Sequence, residues 1–407
     1  MPDPEKDPKN EMIDAVQERP ASRTNPVPTE LKDILELPGL LSLAADLPAA
    51  ELFPMNAVAQ ISAQLLAADE PSGVNTPYEP LKNRIVELMA LRGVRCRREQ
   101  VVLTTGMQPA VELLGRLLVE PGFEVLLEET LSDKVRASIP GDAVVLPVST
   151  SAETGINLDH LESILRSGAR PAFLYVIPEG HNPLGVSLSL ERRLRLVDLA
   201  RHFEVPLLED DTSGLLTYDV PAEPPLRALD NRTTIYLGSF STILAPALRA
   251  GWMVLPDDPA GRLGKLPRAA ELDMPSFSHR TIAAFLGAGY LPEHLETVRA
   301  AYRRRRDTLT RALEQHFHRK RNVRWSRPTS GLSVWMELPE TLPMTTLSLL
   351  REAVTEENLA FAPGSVFATG GGAHADRALR LSFGNNPPHR LEDGAQRLAR
   401  LLENRLP

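Results

Sequence analysis

Residues 172–211 read AFLYVIPEGHNPLGVSLSLERRLRLVDLARHFEVPLLEDD. The segment opens with an apolar run, Ala172 to Ile177, which stops at Pro178-Glu179-Gly180. Ser189 can then cap a helix in which Leu190, Leu194, Val197 and Ala200 recur at helical spacing, with Glu191 favourably placed in the first turn. A second apolar run, Val205 to Glu209, follows and ends in Asp210-Asp211. Strand, crossover helix and strand form the unit from which parallel sheets are built.

The same alternation runs from about residue 80 to residue 255. It adds candidate strands at Val101 to Thr104, Glu124 to Glu128, Ala143 to Val148, Thr234 to Leu237 and Ala250 to Leu255, making seven. Apolar runs of this kind predict a mainly parallel sheet covered by helices on both faces. After about residue 290 the pattern changes to a long Arg-rich helix and then short strands, Leu332 to Glu337 and Ala378 to Phe383, among further helices. The expected fold class is therefore α/β, with a seven-stranded sheet in a large domain (76–290) and a smaller α+β domain built from 31–75 and 291–407. Residues 1–30 mix Pro, Asp, Glu, Lys and Asn without periodicity and are read as a mobile arm that orders against a partner subunit. Thr369 to Gly372 reads as a flexible loop.

Composition narrows the function classes. With 407 residues, 43% apolar, the chain can bury a large core. A net charge of −8 without a long single-sign tract argues against nucleic acid or an anionic membrane as partner, so Arg303 to Arg306 is read as a solvated helix face. Cys96 is the single cysteine, which excludes an intrachain disulfide and a cysteine metal site. The opening MPDPEKDPKNEM is unlike a signal peptide, no long apolar span follows, and a cytoplasmic location is expected. Only seven of the 45 basic residues are lysine: Lys6, Lys9, Lys32, Lys82, Lys134, Lys265 and Lys320.

Ligands of open α/β sheets bind beyond the carboxyl ends of the strands, so the polar residues that follow each strand are the candidates. Thr105-Gly106-Met107-Gln108 follows the first strand and leads into a helix, whose free N–H groups suit an anion. Pro178-Glu179-Gly180-His181-Asn182-Pro183-Leu184-Gly185 follows the fourth. Glu209-Asp210-Asp211 ends the fifth, and the sixth runs into Gly238-Ser239-Phe240-Ser241-Thr242 and on to Arg249. Each alone reads as a turn, a cap or a loop.

Their order and separations resemble the fold type I, aspartate-aminotransferase-like enzymes that use pyridoxal phosphate, especially the branch with aminoadipate-type enzymes and the effector domains of some bacterial regulators. Leu41-Ser42-Leu43, Glu51-Leu52-Phe53-Pro54 and Leu379-Arg380-Leu381-Ser382-Phe383 extend the likeness over most of the chain. The helix-turn-helix segment that such regulators carry upstream is absent from this sequence, which disfavours DNA binding. The resemblance implies a homodimer and a pocket. In it Asp210 pairs with the ring nitrogen, Asn182 holds the phenolic oxygen, and Ser239, Ser241, Arg249 and the N–H groups after Gly106, at Met107 and Gln108, grip the phosphate. Arg380 clamps a substrate carboxylate.

The departures from the family pattern lie where catalysis happens. Thr242 stands where the family has its Schiff-base lysine, and a hydroxyl neither condenses with an aldehyde nor exchanges protons near neutrality. Ser213 replaces a tyrosine, Ser132 an aromatic ring that stacks on the cofactor, and Met107 a hydroxylic phosphate donor. The segment Ser72 to Pro77 replaces a loop whose tyrosine reaches the partner subunit's phosphate. A stack contributes about 0.5–1.5 kcal/mol and a charge-assisted hydrogen bond about 1.5–3 kcal/mol. Losing one of each weakens binding by roughly one and a half to three orders of magnitude. Lys134 reads as a solvated helix lysine and Lys265 as a surface residue, as do His316 and His318.

Three functions are carried forward. In the first, a lysine-independent enzyme works without pyridoxal phosphate or a metal on a small carboxylate-bearing anion, in a setting such as specialised-metabolite biosynthesis. Arg249 and Arg380 hold the substrate, and Asp210, His181 or Glu179 moves protons. In the second, pyridoxal or pyridoxamine phosphate is held non-covalently. In the third, the chain is a catalytically silent ligand-binding or partner subunit.

Overall fold

The computed structural model describes residues 39–67, 79–257, 263, 276–320, 322–370, 374–403 and 405–406. The N-terminal arm, the Ser72 to Pro77 segment, Lys265 and the end of the Thr369 to Gly372 loop lie outside the described residues.

In chain order, β1 (Leu41–Ser42) precedes helices α1 (Met55–Ala67) and α2 (Glu79–Leu91), then β2 (Val101–Thr104), α3 (Met107–Leu118), β3 (Glu124–Glu128), α4 (Asp133–Ala137) and β4 (Val144–Val148). A small hairpin, β5 (Thr150–Ser151) with β6 (Gly155–Ile156), leads to α5 (Leu158–Arg166), β7 (Leu174–Val176), α6 (Leu190–His202), β8 (Leu207–Asp210), α7 (Leu226–Leu229), β9 (Thr234–Ser239) and β10 (Gly251–Val254). After α8 (Ser276–Gly287) and α9 (Leu291–Phe317) come β11 (Arg324–Trp325), β12 (Ser333–Glu337), α10 (Thr346–Glu356), β13 (Leu359–Ala360), β14 (Ala362–Pro363), β15 (Ala378–Ser382) and α11 (Pro388–Glu403).

All seven expected strands form one sheet in the order β2-β10-β9-β8-β7-β3-β4. It is parallel except at β10, which runs antiparallel to both neighbours. Every residue of β2, β8, β9 and β10 is buried, which is why these strands read as unbroken apolar runs. Alternation along β8 sends Leu208 into one apolar cluster, with Val102, Leu127, Tyr175 and Ile235, and Leu207 into another, with Leu126, Leu174 and Val176. Each such side chain contributes about 1.5–3 kcal/mol by leaving water. The fourth expected strand is shorter than its apolar run, whereas β9 extends two residues further and carries Ser239 inside the sheet.

Helix α6 is capped as expected, with Ser189 Oγ accepting from the Arg192 N–H at 3.4 Å. Its buried face keeps Val197 and Ala200 of the expected set but not the two leucines. Leu190 and Leu194 are 38% and 46% exposed, and the inward residues are Arg193, Leu196, Val197 and Ala200. Arg193 turns the helix, because its guanidinium reaches Glu179 at 2.6 Å and the carbonyls of Pro178 and Leu188 at 2.9 Å.

The remaining strands form a four-stranded sheet, β11-β12-β15-β14, while β1 pairs with β13 and so attaches residues 41–42 to the later part of the chain. Helix α9 links the two regions through one apolar cluster that runs from Val101 and Leu103 to Leu379 and Leu381. The reading of Arg303 to Arg306 as a solvated face holds for exposed Arg303 and Arg304 and is corrected for Arg305 and Arg306, which are buried with Tyr302 and Leu309. Arg305 pairs with Glu51 and the Gly384 carbonyl, and Arg306 with Asp219 and the Pro328 carbonyl, over the Tyr218 ring. No described helix is long and apolar enough to cross a membrane.

His279 on α8 is fully buried, and neither ring nitrogen has a partner among the described residues. Burial pulls its pKa down from 6.5 to about 4. Between these values the unfolded chain binds a proton that the folded chain does not, so stability falls as pH falls through this window. His279→Leu should flatten that dependence by up to about 3 kcal/mol, read from urea midpoints at neutral and acid pH. Parallel pH curves for the two proteins would show that His279 is protonated without penalty.

Candidate active site

The carboxyl end of the large sheet is where the polar segments meet. Tyr175 on β7 pairs in register with Leu208 on β8, and Asp210 lies two residues further along, so Tyr175 and Asp210 share a face. Tyr175 donates its hydroxyl to Asp210 Oδ2 at 2.6 Å, and the Thr212 N–H donates to Oδ1 at 3.0 Å. Burial pushes the Asp210 pKa up, against these donors. Burial and the neighbouring Asp210 charge push Tyr175 well above the ordinary range. Tyr175 carries no signal in the sequence beyond being a hydroxyl within an apolar run, since its partner is set by strand register. Adjacent Asp211 points the other way, with Arg92 at 2.9 Å and the Tyr236 hydroxyl at 2.9 Å. Asp210 thus has neutral donors and no cationic side chain paired with it among the described residues, which suits a protonated ring nitrogen.

A second group lies one strand over. Gly251 pairs with Ser239 on one side and Thr104 on the other, which lines up the ends of β9, β10 and β2. A Cβ on Gly251 would stand 3.0 Å from the Gly106 Cα, so only glycine lets these backbones approach. Gly106 caps α3 at φ 126° without a side-chain cap, leaving first-turn N–H groups free near half-buried Met107 and exposed Gln108. Met107 Sδ is 3.9 Å from the Tyr175 hydroxyl. Ser239 Oγ accepts from the Ser241 N–H at 3.1 Å. Arg249, in a left-handed conformation at φ 47°, is exposed, and its guanidinium has no hydrogen-bond or ion-pair partner among the described residues. An uncapped helix start, a hydroxyl and a free guanidinium on one edge fit a phosphate group.

Thr242 follows in the same bend and donates its hydroxyl to the Thr212 carbonyl at 3.0 Å, which ties this loop to the segment after Asp210. Of the described lysines, Lys82 is buried in α2, Lys134 is exposed on α4 and Lys320 follows α9, so none belongs to these segments. Ser132 and Ser213 are half-buried beside the same sheet edge.

Asn182 and Arg380, 198 residues apart, meet directly, Arg380 Nη1 donating to Asn182 Oδ1 at 2.8 Å. Arg380 Nη2 donates to the Ala44 carbonyl at 2.7 Å, and its guanidinium lies 4.8 Å from the Phe367 ring centroid. Asp46, which sequence reasoning missed, accepts from Asn182 Nδ2 at 2.6 Å and stands 3.8 Å from Arg380 Nη1. Burial lowers the Arg380 pKa, and Asp46 acts against that.

His181 and Glu179 are both buried in the turn after β7. His181 is 1% exposed, with Nε2 3.3 Å from Glu128 and Nδ1 3.4 Å from the Leu184 N–H. Glu179 is held by Arg193 at 2.6 Å and by the Ser187 hydroxyl at 2.5 Å, and burial pushes its pKa up against those partners. Both hold the turn that carries Asn182, because a buried charge or imidazole without water access is fixed by its partners.

Comparisons with known proteins agree with this geometry. The family model described as aminotransferase class I and II matches residues 46–398. A 2-aminoadipate transaminase of Thermus thermophilus is 34% identical over 383 residues, covering 93% of this chain and 94% of that relative. Similar solved structures include two aminotransferases. The α-aminoadipate aminotransferase of Thermus thermophilus, complexed with N-(5'-phosphopyridoxyl)-L-leucine, has a TM-score of 0.81 and 33% identity, covering 92% of this chain and 94% of its own. The kynurenine aminotransferase of Pyrococcus horikoshii, in complex with PMP, has a TM-score of 0.84 and 28% identity, covering 97% of each chain. These bound pyridoxyl and pyridoxamine groups overturn the expectation of a site without a cofactor, because relatives this similar carry one. The chain belongs to the class I and II aminotransferases, with their fold of a seven-stranded, mostly parallel sheet between helices.

Proposed function

We propose that this chain is an aminotransferase-family protein, a homodimer as the resemblance implies, that holds pyridoxal or pyridoxamine phosphate without a covalent link, Thr242 standing in place of the Schiff-base lysine. The reading rests on one observation. The hydroxyl of Thr242, not an amine, bridges to the Thr212 carbonyl beside Asp210. When bound, the cofactor supplies an electron sink at its ring. The chain's residues do the rest of the holding. Asp210, kept in place by Tyr175 and Thr212, would hold the ring nitrogen, and Asn182 would hold the phenolic oxygen. Ser239, Arg249 and the first turn of α3 take the phosphate. Thr242 can orient a neighbour by a hydrogen bond but does not form an imine, so affinity depends on these non-covalent contacts.

Asp210→Ala removes a charge-assisted hydrogen bond of about 1.5–3 kcal/mol. Titration with pyridoxamine phosphate should then show roughly 10- to 150-fold weaker binding than the unaltered protein. Equal affinity would exclude Asp210 as the ring partner. A catalytically silent, ligand-binding subunit is the second reading, favoured by the burial of His181 and by the pairing of buried Glu179 with Arg193. Turnover by the isolated protein would exclude it.

A further inference from the structure

A cavity of about 1100 Å³ opens between the carboxyl end of the large sheet and the four-stranded sheet. Glu129 and Thr130, after β3, and Leu184, after β7, stand on one side, with Trp335 and Glu337 of β12 on the other. Those two β12 residues are two apart along the strand and therefore share a face. Neither Asp210, Asn182, Ser239, Thr242 and Arg249 nor Arg380 lines this space, so it is separate from the residues assigned to the cofactor. Small-molecule sites enclose roughly 300–1,000 Å³ and favour such junctions.

The polar groups around the cavity are unequally occupied. Arg324 lies opposite Glu337 in register and reaches its carboxylate at 3.3 Å, and Arg377 gives its guanidinium to the carbonyls of Pro339, Glu340 and Leu342. The carboxylates of Glu129 and Glu340 have no hydrogen-bond or ion-pair partner among the described residues. No group of His, Cys, Asp or Glu able to hold a metal ion occurs among the described residues, so the cation these carboxylates suit is organic. Trp335 supplies an independent observation. It is 3% exposed, and its indole N–H has no partner but, unlike the enclosed N–H of Trp252, keeps access to the cavity. A donor so placed is satisfied by an acceptor oxygen. The hydroxyls of Thr130 and Thr341 both donate and accept, and Ala152 and Leu338 add apolar surface.

We propose that this cavity is a second ligand site and that its ligand is a hydroxylated amine of sugar size, an amino sugar being the simplest case. The ammonium group meets Glu129 or Glu340, and a hydroxyl or ring oxygen accepts from the Trp335 N–H. An amine without hydroxyls leaves the indole unpaired, a neutral sugar leaves the carboxylates unpaired, and an acidic sugar meets them as like charges.

The test titrates the full chain calorimetrically with three probes that separate these features: glucosamine, which carries the ammonium and the hydroxyls, glucose, which carries the hydroxyls alone, and cyclohexylamine, which carries the ammonium alone. Glucosamine should bind roughly tenfold or more tightly than either of the others. Glu129→Gln combined with Glu340→Gln should bring glucosamine down to the level of glucose. Trp335→Phe keeps a ring against Phe367 and removes the N–H, so it should weaken glucosamine by roughly three- to tenfold and leave cyclohexylamine unchanged. Thermal melting shows whether each variant folds; the two glutamates lie on half-buried and exposed positions, so their variant decides the matter even where Trp335→Phe does not fold. No binding of glucosamine by the unaltered protein, equal affinity for all three probes, or a glucosamine affinity within about threefold between the unaltered protein and the glutamate variant overturns the proposal.

Discussion

Thr242→Lys should convert the protein from one that releases its cofactor on denaturation to one that retains it. Lysine placed in the bend after β9 enters the loop that Thr242 now ties to the Thr212 carbonyl, beside buried Asp210. Partial burial there favours the neutral amine, the form that condenses with an aldehyde, although the Asp210 charge acts in the opposite direction. After incubation with pyridoxal phosphate and reduction with borohydride, the intact mass of the variant should rise by one reduced cofactor, whereas the unaltered protein should gain nothing. The lysine also supplies a general acid and base, a role that contributes roughly 10²- to 10⁴-fold, so amino-group transfer from a simple amine should rise within that range. Covalent retention by the unaltered protein would point instead to another amine, and peptide mapping would identify it. A folded variant that neither retains the cofactor nor gains activity would show that position 242 does not face the ring.

The second large effect falls on stability. Arg193 is fully buried and its guanidinium serves Glu179, the Pro178 and Leu188 carbonyls and, at 3.2 Å, the Pro224 carbonyl. Arg193→Ala leaves an uncompensated carboxylate and several unpaired carbonyls in the interior, which costs about 3–5 kcal/mol. The urea midpoint should fall accordingly, and adding Glu179→Gln should recover part of the loss by removing the stranded charge. Arg193→Lys keeps the charge but not the planar fork that reaches these groups, so it should fall between. Since Glu179 begins the turn that carries Asn182, cofactor affinity should weaken along with stability in Arg193→Ala. A change within about 0.5 kcal/mol would mean that Glu179 is neutral or solvated in the folded protein.

These two residues differ in how they could be found. Thr242 is visible in the sequence because the residues around it resemble a family pattern, and a missing amine is a chemical fact at any resolution. Arg193 was hidden in a helix read by its leucines. The spacing of Leu190, Leu194, Val197 and Ala200 is correct for a helix, and Val197 and Ala200 are buried, but Arg193 with its buried partner takes the inward place at the start of the helix and leaves Leu190 and Leu194 outside. The same holds for Arg305 and Arg306, which a count of charges places in water and which Glu51 and Asp219 bring inside.

The sequence by itself determined the seven strands, since strands buried on both faces are mostly apolar, and it pointed to the polar segments at their carboxyl ends as the candidate site. It also determined that position 242 carries no amine. Tertiary structure alone decided which side chains meet. The Tyr175 hydroxyl reaches Asp210 because of the register between two strands, and Asp46 reaches Asn182 across 136 residues because β1 docks beside β13. Periodicity reports which face of an element is apolar, but a hydrogen bond depends on ångström-scale placement between elements, and that placement is fixed only when the whole core packs.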